Sequence, residues 1–185
     1  MVKIGVTGHR FLKETNKIIK AIDEALKRVE KKFGPPFIMF SALGEGADCL
    51  VVHRAQAMRE DTQLIALLPL RLEDFMEDFS SLVSKVDFIN LVETADQLFE
   101  QDQGGSRTQR YLLVGKQILD QCDVLIAVWD GKTSQGEGGT AEVVALARER
   151  GLPLAWIHAG NRLTGTNKPT SLGERQGKVA YERFD

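Results

Sequence analysis

The chain has 185 residues and a formal net charge of −2, from 24 basic and 26 acidic side chains. This length suits one domain of roughly 150 residues with a short remainder, and nucleic acid is not an expected partner because such binding usually needs a basic excess. Two cysteines support neither a disulfide framework nor a four-ligand zinc site, and no apolar run or signal pattern indicates a membrane, so a cytoplasmic location is expected.

Apolar stretches alternate with amphipathic ones over most of the chain. Strands are predicted at residues 2–7, 37–40, 63–68, 87–92, 123–129 and 152–158. Helices are predicted at residues 15–33, 48–59, 72–86, 106–121 and 141–150, and residues 93–105 are predicted to form a polar loop. This alternation is typical of β-α-β units, so it predicts an α/β fold with a mostly parallel sheet and helices on both faces.

The pattern fails after residue 158, where Gly, Asn, Thr, Pro and charged residues dominate. We therefore expect residues 1–158 to form the domain and residues 159–185 to form a C-terminal tail over its surface. Residues 178–184 alternate weakly, so this part of the tail is either an edge strand or a packed arm.

Three polar, glycine-containing clusters follow predicted strands, at the sheet edge where parallel α/β proteins bind ligands. The first consists of Thr7, Gly8, His9 and Arg10. Gly8 allows a close backbone approach to a ligand, and the Arg10 guanidinium suits a phosphate. The alternative is an ordinary tight turn with an exposed arginine.

The second cluster, Ser41, Gly44, Glu45, Gly46 and Asp48, follows the second predicted strand. Its backbone amides can face a ligand, and the carboxylates of Glu45 and Asp48 can accept hydrogen bonds from ribose hydroxyls. Alternatively, these carboxylates only cap the helix that begins there.

The third cluster, Gly138, Gly139, Thr140 and Glu142, opens the last predicted helix. Uncovered amides at a helix N-terminus attract phosphate, and Thr140 adds a hydroxyl donor. Glu142 is either a cap or a working carboxylate. Earlier in the same loop, Asp130 and Gly131 either contact a sugar hydroxyl or a hydrated magnesium ion, or form a turn.

Several common sites are missing from the sequence. There is no dinucleotide G-x-G-x-x-G pattern, no P-loop and no G-x-S-x-G elbow. The three histidines belong to separate elements, so a zinc site is not expected. No cofactor and no metal site are predicted.

The three clusters, with residues 123–131 (DVLIAVWDG), resemble the SLOG superfamily over residues 1–158. This superfamily includes DNA-processing protein A and the LOG phosphoribohydrolases. The resemblance implies a Rossmann-like three-layer α/β/α sandwich that binds nucleotides or their derivatives, and a homodimer. It also implies that Gly138, Gly139 and Thr140 hold phosphate, while Gly8, Arg10, Gly44 and Glu45 line the rest of the site.

The catalytic acid fits less well than the scaffold. Glu142 stands one residue nearer Thr140 than in the LOG signature, and one residue is about 100° around a helix. The G-T-A-x-E stretch of nucleoside deoxyribosyltransferases is likewise one residue longer than the sequence here.

The expected function is therefore binding of a nucleotide or phosphorylated nucleotide derivative, as a sensor or accessory protein. The alternative is an enzyme that cleaves an N-glycosidic bond, a nucleoside monophosphate phosphoribohydrolase or a deoxyribosyltransferase-like enzyme, with Glu142 or Glu45 as the catalytic carboxylate. A DNA-recombination accessory protein ranks third, because the charge balance does not favour it.

Overall fold

Seven strands form one sheet in the computed structural model, which describes residues 1–102, 104–133 and 139–185. The strands are β1 (Val2–Gly8), β2 (Phe37–Ser41), β3 (Gln63–Leu68), β4 (Gln97–Glu100), β5 (Val124–Trp129), β6 (Leu154–His158) and β7 (Val179–Glu182). The helices are α1 (Thr15–Phe33), α2 (Ala47–Met58), α3 (Leu72–Met76), α4 (Leu82–Glu93), α5 (Arg107–Gln121) and α6 (Thr140–Glu149). Among the described residues, no helix combines the length and apolar character needed to cross a bilayer.

The strand order is β4-β3-β2-β1-β5-β6-β7. Strands β1 to β6 are parallel, and β7 runs antiparallel to β6. The chain winds outward from β1 to β4 and then returns to the other side of β1 with β5. The predicted α/β fold with a mostly parallel sheet is confirmed. Its topological switch point, where such sheets bind ligands, lies between β1 and β5.

Both faces of the sheet are covered by helices, which explains the continuous apolar run in β5. All six residues of β5 are buried. Val124, Ile126 and Val128 belong to the core beneath α1 and α2, whereas Leu125 and its alternate neighbours pack beneath α5 and α6. A strand buried on both faces has no polar positions to alternate with.

The structure differs from the sequence prediction around the fourth strand. Residues 87–92 are the end of α4, whose Phe88 and Leu91 are three positions apart and both buried. The fourth strand is instead β4, all of whose residues are exposed. The predicted helix at 72–86 is divided in two because Ser81 caps α4, its hydroxyl accepting a hydrogen bond from the Ser84 N–H at 3.1 Å.

The segment after β6 is packed against the domain. It contains the bridge between Arg162 and Pro169, a 3-10 turn and strand β7. The Gln176 side chain is buried and accepts hydrogen bonds from the amides of Gly160 and Leu172, both at 3.0 Å. Phe184 is buried as well, edge-on to Phe33 with ring centroids 5.7 Å apart.

We expect Phe184→Ala to lower the free energy of unfolding by about 3 kcal/mol, because it removes a buried ring that joins the C-terminal segment to α1. Urea denaturation measures the change. Leu163→Ala is the control, since Leu163 lies in the same segment but is 53% exposed. Equal stabilities for the two variants would contradict the packing of this segment.

Candidate functional site

Two of the cavities in the described part of the chain open at the carboxyl edge of the sheet beside the predicted site residues. The inner cavity, of about 250 Å³, lies among the loops that follow β1 and β2, the α3–α4 loop, α5 and the start of α6. The outer cleft, of about 720 Å³, lies between the loop after β5 and residues 161–172. Gly139 and Thr140 border both cavities, so the start of α6 separates them.

Most of the residues predicted for the site meet at these cavities. The inner cavity is bordered by Thr7, Gly8, Arg10, Gly44, Glu45, Asp48, Gly139 and Thr140. His9 and Asp130 border the outer cleft with Gly139 and Thr140. Four predicted residues border neither cavity: Ser41, Gly46, Gly131 and Glu142. Gly138 lies outside the described residues.

His9 is buried and joins the loops of the two central strands to α2. Its backbone N–H donates to the Val128 carbonyl at 2.9 Å, and its carbonyl accepts from the Ala47 N–H at 3.1 Å. Its ring Nε2 accepts from the Asp130 N–H at 3.1 Å. Burial lowers the pKa of His9 although the nearby Asp130 carboxylate opposes the shift. The neutral imidazole therefore positions the loops and is not a charged ligand-binding group.

The glycines at 8 and 46 allow these loops to pack against each other. A Cβ on Gly8 would lie 2.4 Å from the Ala47 Cβ. Gly46 has a φ of 88°, and its Cβ would lie 2.1 Å from the Arg10 carbonyl oxygen. At both positions an added Cβ would therefore meet protein atoms and disturb the packing of the loops.

Arg10 is held by protein groups at the rim of the inner cavity. It donates to Glu45 at 3.1 Å and to the Asp78 carbonyl. Glu45 also accepts from the Ser80 hydroxyl at 2.5 Å and from the Ser80 N–H at 3.2 Å. Burial opposes ionisation of Glu45, but the hydrogen bonds from Ser80 and Arg10 outweigh it and lower the pKa of Glu45. Glu45 is thus an anion already engaged with a cation.

Asp78 organises the cover of the inner cavity, and the sequence analysis did not identify it. Its carboxylate pairs with Arg107 at 2.8 Å and accepts a hydrogen bond from the Tyr111 hydroxyl. Burial and the Asp78 carboxylate raise the pKa of Tyr111 well above its ordinary value. Phe75 and Phe79, edge-on with centroids 5.4 Å apart, complete the apolar wall. The signal available in the sequence was Ser81, a typical N-cap residue, which marks the end of the α3–α4 loop that carries Asp78.

Asp48 is a buried carboxyl group in the first turn of α2. Its Oδ2 accepts one hydrogen bond, from the Gly44 N–H at 3.2 Å. Burial raises the pKa of Asp48 to about 7. The predicted role as a helix cap is not what the structure shows, because the Asp48 side chain bonds backward to the preceding loop.

The outer cleft presents cations that are not neutralised by carboxylates. Lys132 and Arg162 are exposed, and neither has an acidic side chain within 4 Å in the described part of the chain. The guanidinium groups of Arg162 and Arg10 both lie over the Phe11 ring, 5.4 and 5.5 Å from its centroid. Phe11 and Arg162 are far apart in sequence, so no local motif could associate them.

The small net charge of the chain conceals a strong separation of charge. Residues 71–102, which we call the acidic segment, contain nine carboxylates and only two basic side chains, Arg71 and Lys85, for a net charge of −7. The rest of the chain therefore carries +5. Both exposed cations of the outer cleft belong to this basic remainder.

The fold is similar to two solved structures of DNA processing protein A. The protein from Helicobacter pylori, whose structure is described for its single-stranded DNA binding mode, matches with a TM-score of 0.57 and 20% identity over 95% of this chain and 69% of that chain. The protein from Streptococcus pneumoniae matches with a TM-score of 0.58 and 16% identity, over 95% of this chain and 53% of that chain. This chain thus spans about half the length of the latter protein. No family model and no curated protein matches the chain.

These neighbours correct two expectations. Single-stranded DNA is the described ligand of the Helicobacter pylori protein, so the expected function of binding a small-molecule nucleotide is wrong, as is the expectation that nucleic acid is an unlikely partner. The physical reason is that net charge averages the acidic segment with the basic remainder, whereas phosphates respond to local charge. Of the relatives named by the resemblance, DNA-processing protein A is the one found among these structures.

The pKa of Asp48 predicts a pH-dependent stability. Between its ordinary value of 3.8 and about 7, the folded chain holds a proton that the unfolded chain has released, so stability falls as pH rises through this window. We expect the free energy of unfolding of the parent protein to fall by about 2–3 kcal/mol more than that of Asp48→Asn between about pH 5 and pH 8.

Urea denaturation at both pH values measures this difference. Glu149→Gln, at an exposed position, is the matched control and should follow the parent protein. Identical pH profiles for the parent and Asp48→Asn would show that Asp48 is ionised throughout this range.

Proposed function

We propose that this chain binds single-stranded DNA in the outer cleft, as an accessory protein of DNA processing or recombination. The observation that carries the proposal is that two exposed cations without carboxylate partners, Lys132 and Arg162, border the cleft, and that the Arg162 guanidinium lies over the aromatic ring of Phe11. A basic groove combined with an aromatic ring is the usual arrangement for binding a single strand without reading its sequence. The fold shared with DNA processing protein A supports the choice.

Phosphate groups are the partners that suit the floor of the cleft. Gly139 caps α6 without a side chain of its own, and the α6 N-terminus borders the cleft through Gly139 and Thr140. A helix N-terminus attracts phosphate through its amides and its dipole. Lys132 and Arg162 add full charges on either side, so this proposal keeps Gly139 and Thr140 as phosphate-binding residues.

A nucleobase is the partner that suits Phe11. Bases stack on aromatic rings and on guanidinium planes, and such stacking tolerates any base. Arg10 has its charge satisfied by Glu45, so its contribution is to position the ring, whereas the charge of Arg162 is available to the strand. The site thus offers stacking and charge next to each other.

The inner cavity has a different role in this proposal. Its polar groups, including Arg10, Glu45, Asp78 and Tyr111, bond to one another. This network of hydrogen bonds supports the loops that border the outer cleft.

We also infer that the likeness to DNA processing protein A reflects membership of the SLOG superfamily, because the glycine clusters that carry the resemblance follow strands β1, β2 and β5.

We expect Lys132→Ala and Arg162→Ala each to weaken binding of a fluorescein-labelled oligothymidylate by about tenfold and to reduce the salt slope of affinity by about one unit. Each substitution removes one cation–phosphate contact, and fluorescence anisotropy over a salt series measures the result. Lys20→Ala, an exposed position on α1, is the control and should bind like the parent protein. Unchanged affinity and slope in both cleft variants would overturn the proposal, as would equally tight binding of thymidine monophosphate.

Phe11→Leu tests the stacking contact separately. Leucine keeps an apolar side chain but removes the ring, so we expect affinity to fall by about five- to tenfold with the salt slope unchanged, since no cation is lost. A reduced slope would show that the substitution acts by displacing Arg162 instead. An unchanged affinity would exclude stacking on Phe11.

A further inference from the structure

Strand β4 is an open edge of the sheet. It pairs with β3 on one side only, and in the described part of the chain no strand covers its other side. All four of its residues, Gln97–Glu100, are exposed. An edge strand of this kind presents backbone N–H and C=O groups that can pair with a further strand.

Exposed apolar side chains are concentrated on β4 and on the helix that precedes it. Seven large apolar residues are exposed among those described, and five of them lie on the consecutive elements α4 and β4. The five are Leu82, Val83, Val86, Leu98 and Phe99. On α4 they occupy the side of the helix opposite Phe88 and Leu91, which are buried in the core. Leu98 and Phe99 lie on β4 itself, and exposed apolar side chains on an open edge strand are typical of a protein-binding site.

The charge around β4 selects the kind of partner. The acidic segment carries a net charge of −7. Glu93, Asp96, Glu100 and Asp102 flank or belong to β4, are exposed, and have no basic side chain within 4 Å among the residues described. Two copies of this edge would repel each other, so a second copy of the chain is disfavoured.

We propose that β4 adds a strand from a partner protein, and that this strand is a short extended segment containing both basic and apolar residues. In strand addition the backbone hydrogen bonds provide much of the affinity and the side chains provide the specificity. Leu98 and Phe99 point to opposite faces of the sheet, so they offer an apolar contact on each face. The flanking carboxylates would attract the basic side chains of the partner strand.

A fluorescein-labelled peptide of alternating lysine and valine is the probe. We expect it to bind the full chain, and a peptide of alternating glutamate and valine to bind at least about tenfold more weakly. A lysine–valine peptide that is N-methylated at alternate residues should lose binding to a similar extent, because it cannot form the ladder. Hydrogen exchange should show new protection of the amides of residues 97–101 when the unmodified peptide is added.

Leu98→Ser with Phe99→Ser is the matched variant, and Ala57→Ser, at an exposed position on α2 that borders neither the outer cleft nor β4, is its control. The double variant should lose peptide binding by about tenfold while its affinity for oligothymidylate is unchanged, because β4 is remote from the outer cleft in the strand order. Retained peptide binding in the double variant would overturn the proposal. So would equal binding of the N-methylated peptide. Protection of residues 97–101 without peptide, together with self-association in sedimentation, would assign the edge to a second copy.

Discussion

The arrangement of the loops at the carboxyl edge of the sheet depends on the hydrogen bonds of His9. Three loops meet at this residue, which directly follows β1. Its backbone N–H donates to the Val128 carbonyl at the end of β5, and its ring accepts a hydrogen bond from the Asp130 N–H just beyond that strand. Its carbonyl accepts a hydrogen bond from the Ala47 N–H at the start of α2. A ring nitrogen that accepts a hydrogen bond from a backbone N–H carries no proton of its own, so this arrangement requires a neutral imidazole, and burial favours that state. Strands β1 and β5 are the two on either side of the switch point. Fixing their loops to each other therefore fixes the geometry of the cleft beyond them.

Once these loops are fixed, the polar groups of the edge divide into two classes. Those on the inner side bond to one another, as Arg10 does to Glu45 and Asp78, and their desolvation is compensated within the protein. Those on the outer side, Lys132 and Arg162, are exposed and have no carboxylate partner within 4 Å among the described residues, although Arg162 donates to the Asn167 side-chain oxygen at 3.1 Å. Only groups of the second class can contact a ligand without giving up an internal ion pair. This difference, and not the number of polar residues, distinguishes the proposed binding surface from the loops that support it.

The sequence predicted the elements of the buried sheet and the convergence of the glycine clusters, because strands covered on both faces and loops at strand ends leave strong local patterns. It failed at β4, where an exposed four-residue edge strand has no apolar pattern, and at α4, whose short apolar run suits a strand as well as a helix. Gly8 and Gly46, predicted as ligand-contact residues, also let the loops pack, because an added Cβ at either position would meet neighbouring protein atoms. Asp78 and the pair of Phe11 with Arg162 could not be found locally, since their partners come from distant parts of the chain.

The separation of charge gives the two proposed surfaces a physical relation. Four exposed carboxylates of the acidic segment flank or belong to β4 at one end of the strand order, while the outer cleft lies beside β5, β6 and the C-terminal segment. A single strand bound at Lys132 and Arg162, as proposed, would be repelled by the carboxylates that flank β4, so it would not compete for that strand. The carboxylates at β4 would repel both a polyanion and a second copy of this edge. The proposed partner of the strand is therefore basic. A single strand and a protein could then be bound by one domain at the same time, each excluded from the other's surface by charge alone.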